Sequence, residues 1–172
     1  MRSIDHFRQR RSVRGFTKED VPAGVIDEAL EAANLAPSAG NLQARDFVVV
    51  RDGGKKRELA EAAMSQMFVA DAPVVVVCCA NLERIGRYGP RGRELYCLQD
   101  VAAAAENMLL YLSDADYGAC WVGAFNERKV SDLLRLPMHV RPVVMLPIGR
   151  PAAEGRSPPR IEIGELVHYE EW

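Results

Sequence analysis

The sequence predicts a layered protein of helices and strands, α/β or α+β. Apolar residues at Val25, Ile26, Ala29, Leu30 and Ala33 follow helical spacing. Pro73 opens the apolar run Val74 to Cys79, the pattern of a strand covered on both faces. Such segments alternate along 172 residues without a repeat or low-complexity tract, so one domain spanning 1–172 is expected.

In order, Gly15 marks the first turn, and Thr17 to Asp20 read as a helix start with Pro22 in the first turn. That helix runs to about Ala36, where Pro37 ends it. Phe47 to Val50 form a short strand closed by Asp52-Gly53-Gly54, and a helix follows from Lys55 to about Phe68. The buried strand at 74–79 leads into a glycine- and arginine-rich loop, 84–93. The longest helix spans Glu94 to Asp114, and its spacing reads as core. Ala102 to Ala105 give it a smooth surface that equally suits a subunit interface. Gly118 to Phe125 read as a strand, Glu127 to Leu136 as an amphipathic helix, and Val140 to Ile148 as a strand near an edge because prolines interrupt it. The last 22 residues, with Pro151, Pro158 and Pro159, must pack on their own domain or a partner.

The composition, 48% hydrophobic and 27% charged with net charge −2, is that of a soluble globular protein. It argues against a broad nucleic-acid surface, and Arg8 to Arg14 have few interleaved aromatic residues. No signal peptide or membrane-length apolar run is visible, so a cytoplasmic protein is expected. Cys78, Cys79, Cys97 and Cys120 lack metal or redox spacing and read as buried thiols, and His6, His139 and His168 are scattered, so no metal site is expected.

Three segments can carry chemistry. Arg8, Arg10, Arg11 and Arg14 put four guanidinium groups into seven residues, with Ser12 among them. Their planar forks suit a small anion such as a phosphate. Ala36-Pro37-Ser38-Ala39-Gly40-Asn41-Leu42-Gln43 combines small residues, which let a flat ligand approach the backbone, with two amides; it also reads as an ordinary loop. Gly118 to Phe125 sets Trp121 and Phe125 around small residues, in keeping with a ligand edge or with core packing. Walker, dinucleotide-fingerprint and nucleophile-elbow patterns are missing.

Together these segments resemble the FMN-dependent nitroreductase family. The match takes in Arg10-x-Ser12-x-Arg14, the 36–43 segment, Ala72-Pro73 before the apolar strand, Gln99-Asp100 opening an alanine-rich helix, Cys120 to Phe125, Leu146-Pro147-Ile148-Gly149 and an arginine-bearing tail. The resemblance implies an α+β fold: a central mixed or antiparallel sheet flanked by helices, in an intertwined homodimer with a C-terminal arm and FMN at the subunit interface. By it, Arg10, Arg11 and Ser12 would hold the phosphate and ribityl chain, with Arg160 as a second phosphate cation, and Arg14 would lie at the pyrimidine edge. Pro37, Ser38, Ala39, Gly40 and Asn41 would come from the other subunit and cover the ring. Trp121, Val122, Gly123 and Ala124 would line the opposite edge, with the Gly123 N–H directed to N5, and Gln66 would contact the ribityl chain or ring edge. The helix at 94–113 then reads as interface.

The implied activity is a hydride relay from NADH or NADPH through flavin N5 to an electron-poor acceptor such as a nitroaromatic or quinone, with no catalytic side chain required. Other flavin chemistry (dehydrogenation, dehalogenation, flavin fragmentation) and FMN binding without turnover are the alternatives. Two departures stand out. Gln43 is followed by Ala44-Arg45 where many members have Pro-Trp, and residues 81–93 leave room only for a loop, so the pocket is expected to be open or roofed by Tyr88 and Arg91.

Overall fold

The computed structural model describes residues 3–153, 155 and 157–172. Helices α1 (Ser3–Gln9) and α2 (Ala23–Asn34) precede strand β1 (Arg45–Val50). Helices α3 (Gly53–Ala62) and α4 (Phe68–Asp71) lead to β2 (Val74–Asn81), and the single turn α5 (Gly89–Arg91) to the long α6 (Cys97–Asp114). Strand β3 (Gly118–Ala119), helix α7 (Glu127–Leu134) and strand β4 (Val140–Gly149) complete the order. The strands lie in the order β1-β2-β4-β3, with every neighbouring pair antiparallel. One parallel bridge, Ser12 to Ala119, adds the 10–15 segment at the β3 edge.

Successive side chains of β2 point to opposite faces, and both faces are covered. Val74, Val76, Cys78 and Ala80 join the core under α2 and α6, while Val75, Val77 and Cys79 join the core under α3, α4 and α7. The result is the α+β arrangement of helices on both sides of a sheet. All four cysteines are buried and free, and burial pushes the Cys79 thiol up to about 12.

Several sequence expectations need correction. β4 is interior, flanked by β2 and β3. Met145 N–H donates to Val122 O at 3.0 Å, so Pro147, two residues on, turns its nitrogen toward the same side. Only its carbonyl is used there, accepting from Cys120 at 3.3 Å. Pro142 lies at a register shift opposite Cys79. The expected strand 118–125 is two residues long, and beyond it only Val122 bridges Met145. α2 starts at Ala23, because the Asp20 carboxylate is engaged with Val21 N–H (2.8 Å) and Arg51 (2.9 Å) instead of capping a helix at 17–20. α3 ends at Ala62, before left-handed Met64 and Ser65 (φ 57° and 58°). The 84–93 loop is largely helical, and a wide π-turn, Gly92–Tyr96, feeds α6. α6 starts at Cys97, three residues later than expected, and packs one face in the core: Val101, Ala104, Ala105, Met108 and Leu112 are fully buried.

Candidate functional site

The arginine segment is held as a short extended strand. Val13 N–H donates to Ala119 O (2.9 Å), Thr17 N–H to Arg150 O (2.9 Å), and Ala152 N–H to Gly15 O (3.0 Å). Val13 is buried against Gly118, where any side chain would strike the valine. Since side chains alternate along extended backbone, burying Val13 turns Ser12 and Arg14 outward.

Outward lies a cavity of about 840 Å³, lined by Arg10 to Gly15 on one side and by Ala152, Ala153, Gly155, Ser157, Pro158 and Arg160 on the other. Five of the expected contacts, Arg10, Arg11, Ser12, Arg14 and Arg160, thus share one cavity. Their states differ. Arg10 Nε is 3.6 Å from Glu106, and Arg11 Nη1 donates to the Arg8 and Arg10 carbonyls at the end of α1. Among the described residues, Arg14 and Arg160 have no carboxylate partner; the Arg14 guanidinium sits over the Phe68 ring, 5.9 Å from its centroid. Arg14 also draws the Cys120 thiol down, against a larger upward push from burial.

Beside Phe68, Gln66 Nε2 donates to Ala63 O (2.9 Å) and Ala124 O (3.5 Å), which ties the 120–124 segment to the end of α3. Its side-chain carbonyl is left as an acceptor. Trp121 is exposed, and its indole lies along Gly123.

The Pro37 to Asn41 segment stands elsewhere. It leads into β1, at the sheet edge opposite β3, so it does not join the cavity within one chain. Two buried charged side chains, Asp100 and Arg45, shape it, a role that the sequence did not assign to them. Asp100, 4% exposed, accepts from Ala39 N–H (2.9 Å) and Ala44 N–H (3.4 Å). Arg45, 3% exposed, donates to the Asn34, Ala36 and Pro37 carbonyls at 2.8, 2.9 and 3.3 Å. Burial pulls the Arg45 pKa down, Asp100 opposes that, and Arg84 adds to it. The Ser38 hydroxyl accepts from Gln43 N–H at 3.0 Å. The Ala44-Arg45 departure therefore has a structural account: the arginine caps the carbonyl end of α2 and fixes where the loop leaves it.

Gly40 has φ 54°, and a side chain there would collide with Arg87 and Tyr88. Tyr88 packs on this loop, and Arg91 reaches Tyr96, whose ring meets that of Tyr88 edge to face; neither Tyr88 nor Arg91 lines the arginine cavity.

A nitroreductase family model matches residues 7–71 and 66–150. The chain is 32% identical over 187 residues to an NADH dehydrogenase of Thermus thermophilus, covering 92% of this chain and 91% of that one. It is 29% identical over 180 residues to an FMN reductase (NADPH) of Bacillus subtilis, covering 96% and 72%. Among solved structures, NfrA2 of B. megaterium superposes with a TM-score of 0.93 at 26% identity, covering 98% of this chain and 74% of that chain. With most of its length matched and its core and arginine segment arranged as described, the chain belongs to the nitroreductase family.

Proposed function

We propose that this chain is an FMN-dependent oxidoreductase that takes hydride from NADH or NADPH and delivers it to an electron-poor small molecule, a nitroaromatic or quinone. What carries the reading is the convergence of Arg10, Arg11, Ser12, Arg14 and Arg160 on one cavity of about 840 Å³. That volume is in the range of cofactor pockets, and three of its arginines, Arg11, Arg14 and Arg160, lack a carboxylate partner among the described residues. Those residues fit a phosphate-bearing flavin, and the similarity to an FMN reductase supports the assignment.

When bound, FMN supplies hydride transfer at N5. Arg10, Arg11, Ser12 and Arg160 bind the phosphate end by charge-assisted hydrogen bonds. Arg14, held over Phe68 at the cavity wall, would place a positive charge beside the flavin and so favour its reduced form. Gln66 would offer its side-chain carbonyl to the ribityl chain or ring edge, and Trp121, Gly123 and Ala124 would line the ring, while Val122, buried and paired with Met145 through both backbone groups, would hold that segment in place. Pro37, Ser38, Ala39, Gly40 and Asn41 come from a second copy and cover the ring, keeping water from it.

The homodimer has two physical supports. The halves of the site lie at opposite sheet edges of one chain. The described tail, 157–172, is exposed throughout and carries Ile161, Ile163, Leu166, Val167, Tyr169 and Trp172, an apolar arm suited to a partner's surface.

The test is an absorbance spectrum of purified protein before and after anaerobic NADPH or NADH. Flavin bands that bleach, then return when a nitroaromatic or quinone is added, support the reading. Bands that survive both reductants leave a flavin-binding protein without this turnover; a protein that takes up no FMN overturns the cofactor assignment.

A further inference from the structure

Residues 86–96 carry two exposed arginines that neither the fold nor the cradle uses. Arg87 Nη2 donates to the Tyr88 hydroxyl at 2.8 Å, and its guanidinium lies 4.8 Å from that ring's centroid. Arg91 Nε donates to the Tyr96 hydroxyl at 2.9 Å, 5.5 Å from the Tyr96 centroid. The two rings meet edge to face, 5.4 Å apart at 84°. The four side chains form a row, Arg87–Tyr88–Tyr96–Arg91.

Two features separate this row from ordinary surface charge, beyond the lack of a carboxylate partner that Arg87 and Arg91 share with Arg57 and Arg93 among the described residues. Aromatic contact restrains both guanidinium groups, so little rotamer freedom remains to be lost on binding. The Arg87 end touches Gly40, in the loop assigned to cover the ring.

We infer that Arg87 and Arg91 receive phosphate groups of the incoming nicotinamide dinucleotide; this rests on the functional reading above, which sets the 37–41 loop over the flavin. The chemistry selects this reactant. A nitroaromatic or quinone need carry no anion, but every nicotinamide dinucleotide carries a pyrophosphate, and NADPH a further 2′-phosphate. Arginine forks match phosphate oxygens, and the rings beneath them hold the two forks in place. Within that shared chemistry, a 2′-phosphate contact makes the row select NADPH over NADH, and a pyrophosphate contact serves both.

The test uses FMN-loaded protein and calorimetric titration with adenosine 2′,5′-bisphosphate and, separately, adenosine 5′-diphosphate. The wild type is expected to bind at least one probe, and Arg87→Gln/Arg91→Gln to bind it roughly 10-fold or more weakly. The Arg87→Lys/Arg91→Lys protein, which keeps the charges, is expected to recover part of the loss. In turnover the glutamine variant should raise the KM for the dinucleotide with kcat little changed. Loss confined to the 2′,5′-bisphosphate assigns the 2′-phosphate; loss of the diphosphate assigns the pyrophosphate. Probe binding and KM unchanged by the double substitution, or a KM rise confined to an anionic acceptor, overturn the inference. If the wild-type flavin bleaches with NADPH while the variant binds both probes normally, this inference alone falls; if the flavin does not bleach, the functional reading has failed first.

Discussion

The 34–45 turn and the 10–15 segment with its tail are built on opposite plans. Around the turn, side chains fix the backbone: Asp100 takes two N–H groups, Arg45 caps three carbonyls, and Ser38 closes the loop. The cradle is firm only on one side. Val13, Gly15 and Thr17 are bonded to neighbouring backbone, while the facing wall, to Arg160, is an exposed tail. One half of the proposed site is therefore fixed by side chains buried in the fold, whereas the other has one wall on the sheet edge and one on an exposed tail. The difference indicates where substitutions cost stability and where they cost binding.

The largest effect is expected at Asp100. Asp100→Ala leaves two N–H groups unpaired and removes the charge that opposes the desolvation of Arg45, a loss of about 2–4 kcal/mol measurable by urea denaturation. A loss near zero would show that the turn is not held as described.

Removing residues 161–172 should leave the stability of the single-chain core nearly intact while weakening self-association by roughly 100-fold or more, the equivalent of about 2.7 kcal/mol or greater, in sedimentation. An unchanged dimer would place the arm elsewhere.

Within the cradle, Arg10→Ala should weaken FMN retention by roughly 10- to 100-fold, the worth of one charged hydrogen bond. Arg14→Ala should mainly lower the flavin potential, by roughly 30 mV for a two-electron couple. If both variants lose only affinity, the cluster is a phosphate clamp and nothing more.

The smallest effect concerns an ion pair outside both regions. Arg141 donates to both Glu127 oxygens at 2.8 Å and holds the Glu127 carboxyl below its usual 4.5. A depressed carboxylate stabilises above its unfolded pKa, and that contribution is lost as pH falls through the folded value. Glu127→Gln should thus flatten the acid side of the stability curve only below about pH 4.5, and slightly, because the pair is half exposed.

The sequence exposed the cradle because four arginines within seven residues need an anion wherever the backbone goes. The buried strand and α2 were equally legible, since their patterns are local. Arg160 entered only through the family resemblance, because nothing local ties it to Arg10. Asp100 and Arg45 escaped: their worth lies in carbonyls and N–H groups 8 to 61 residues away, and only an arginine ahead of an apolar strand hinted at it. β4 was misplaced for a different reason. Proline removes an N–H, and that excludes an interior position only where the neighbouring strand needs the donor, which at Pro147 it does not.

The central claim is that each site joins the cradle of one chain to the 37–41 loop of its partner. Two inactive chains, one carrying Arg10→Ala with Ser12→Ala and the other Gly40→Val, can be co-expressed with different tags and the mixed dimer purified. In a two-fold dimer one site then inherits both lesions and the other neither, so the account predicts about one FMN per mixed dimer, bleached by NADPH, where each parent holds little. A mixed dimer as empty of flavin as its parents would contradict a shared site.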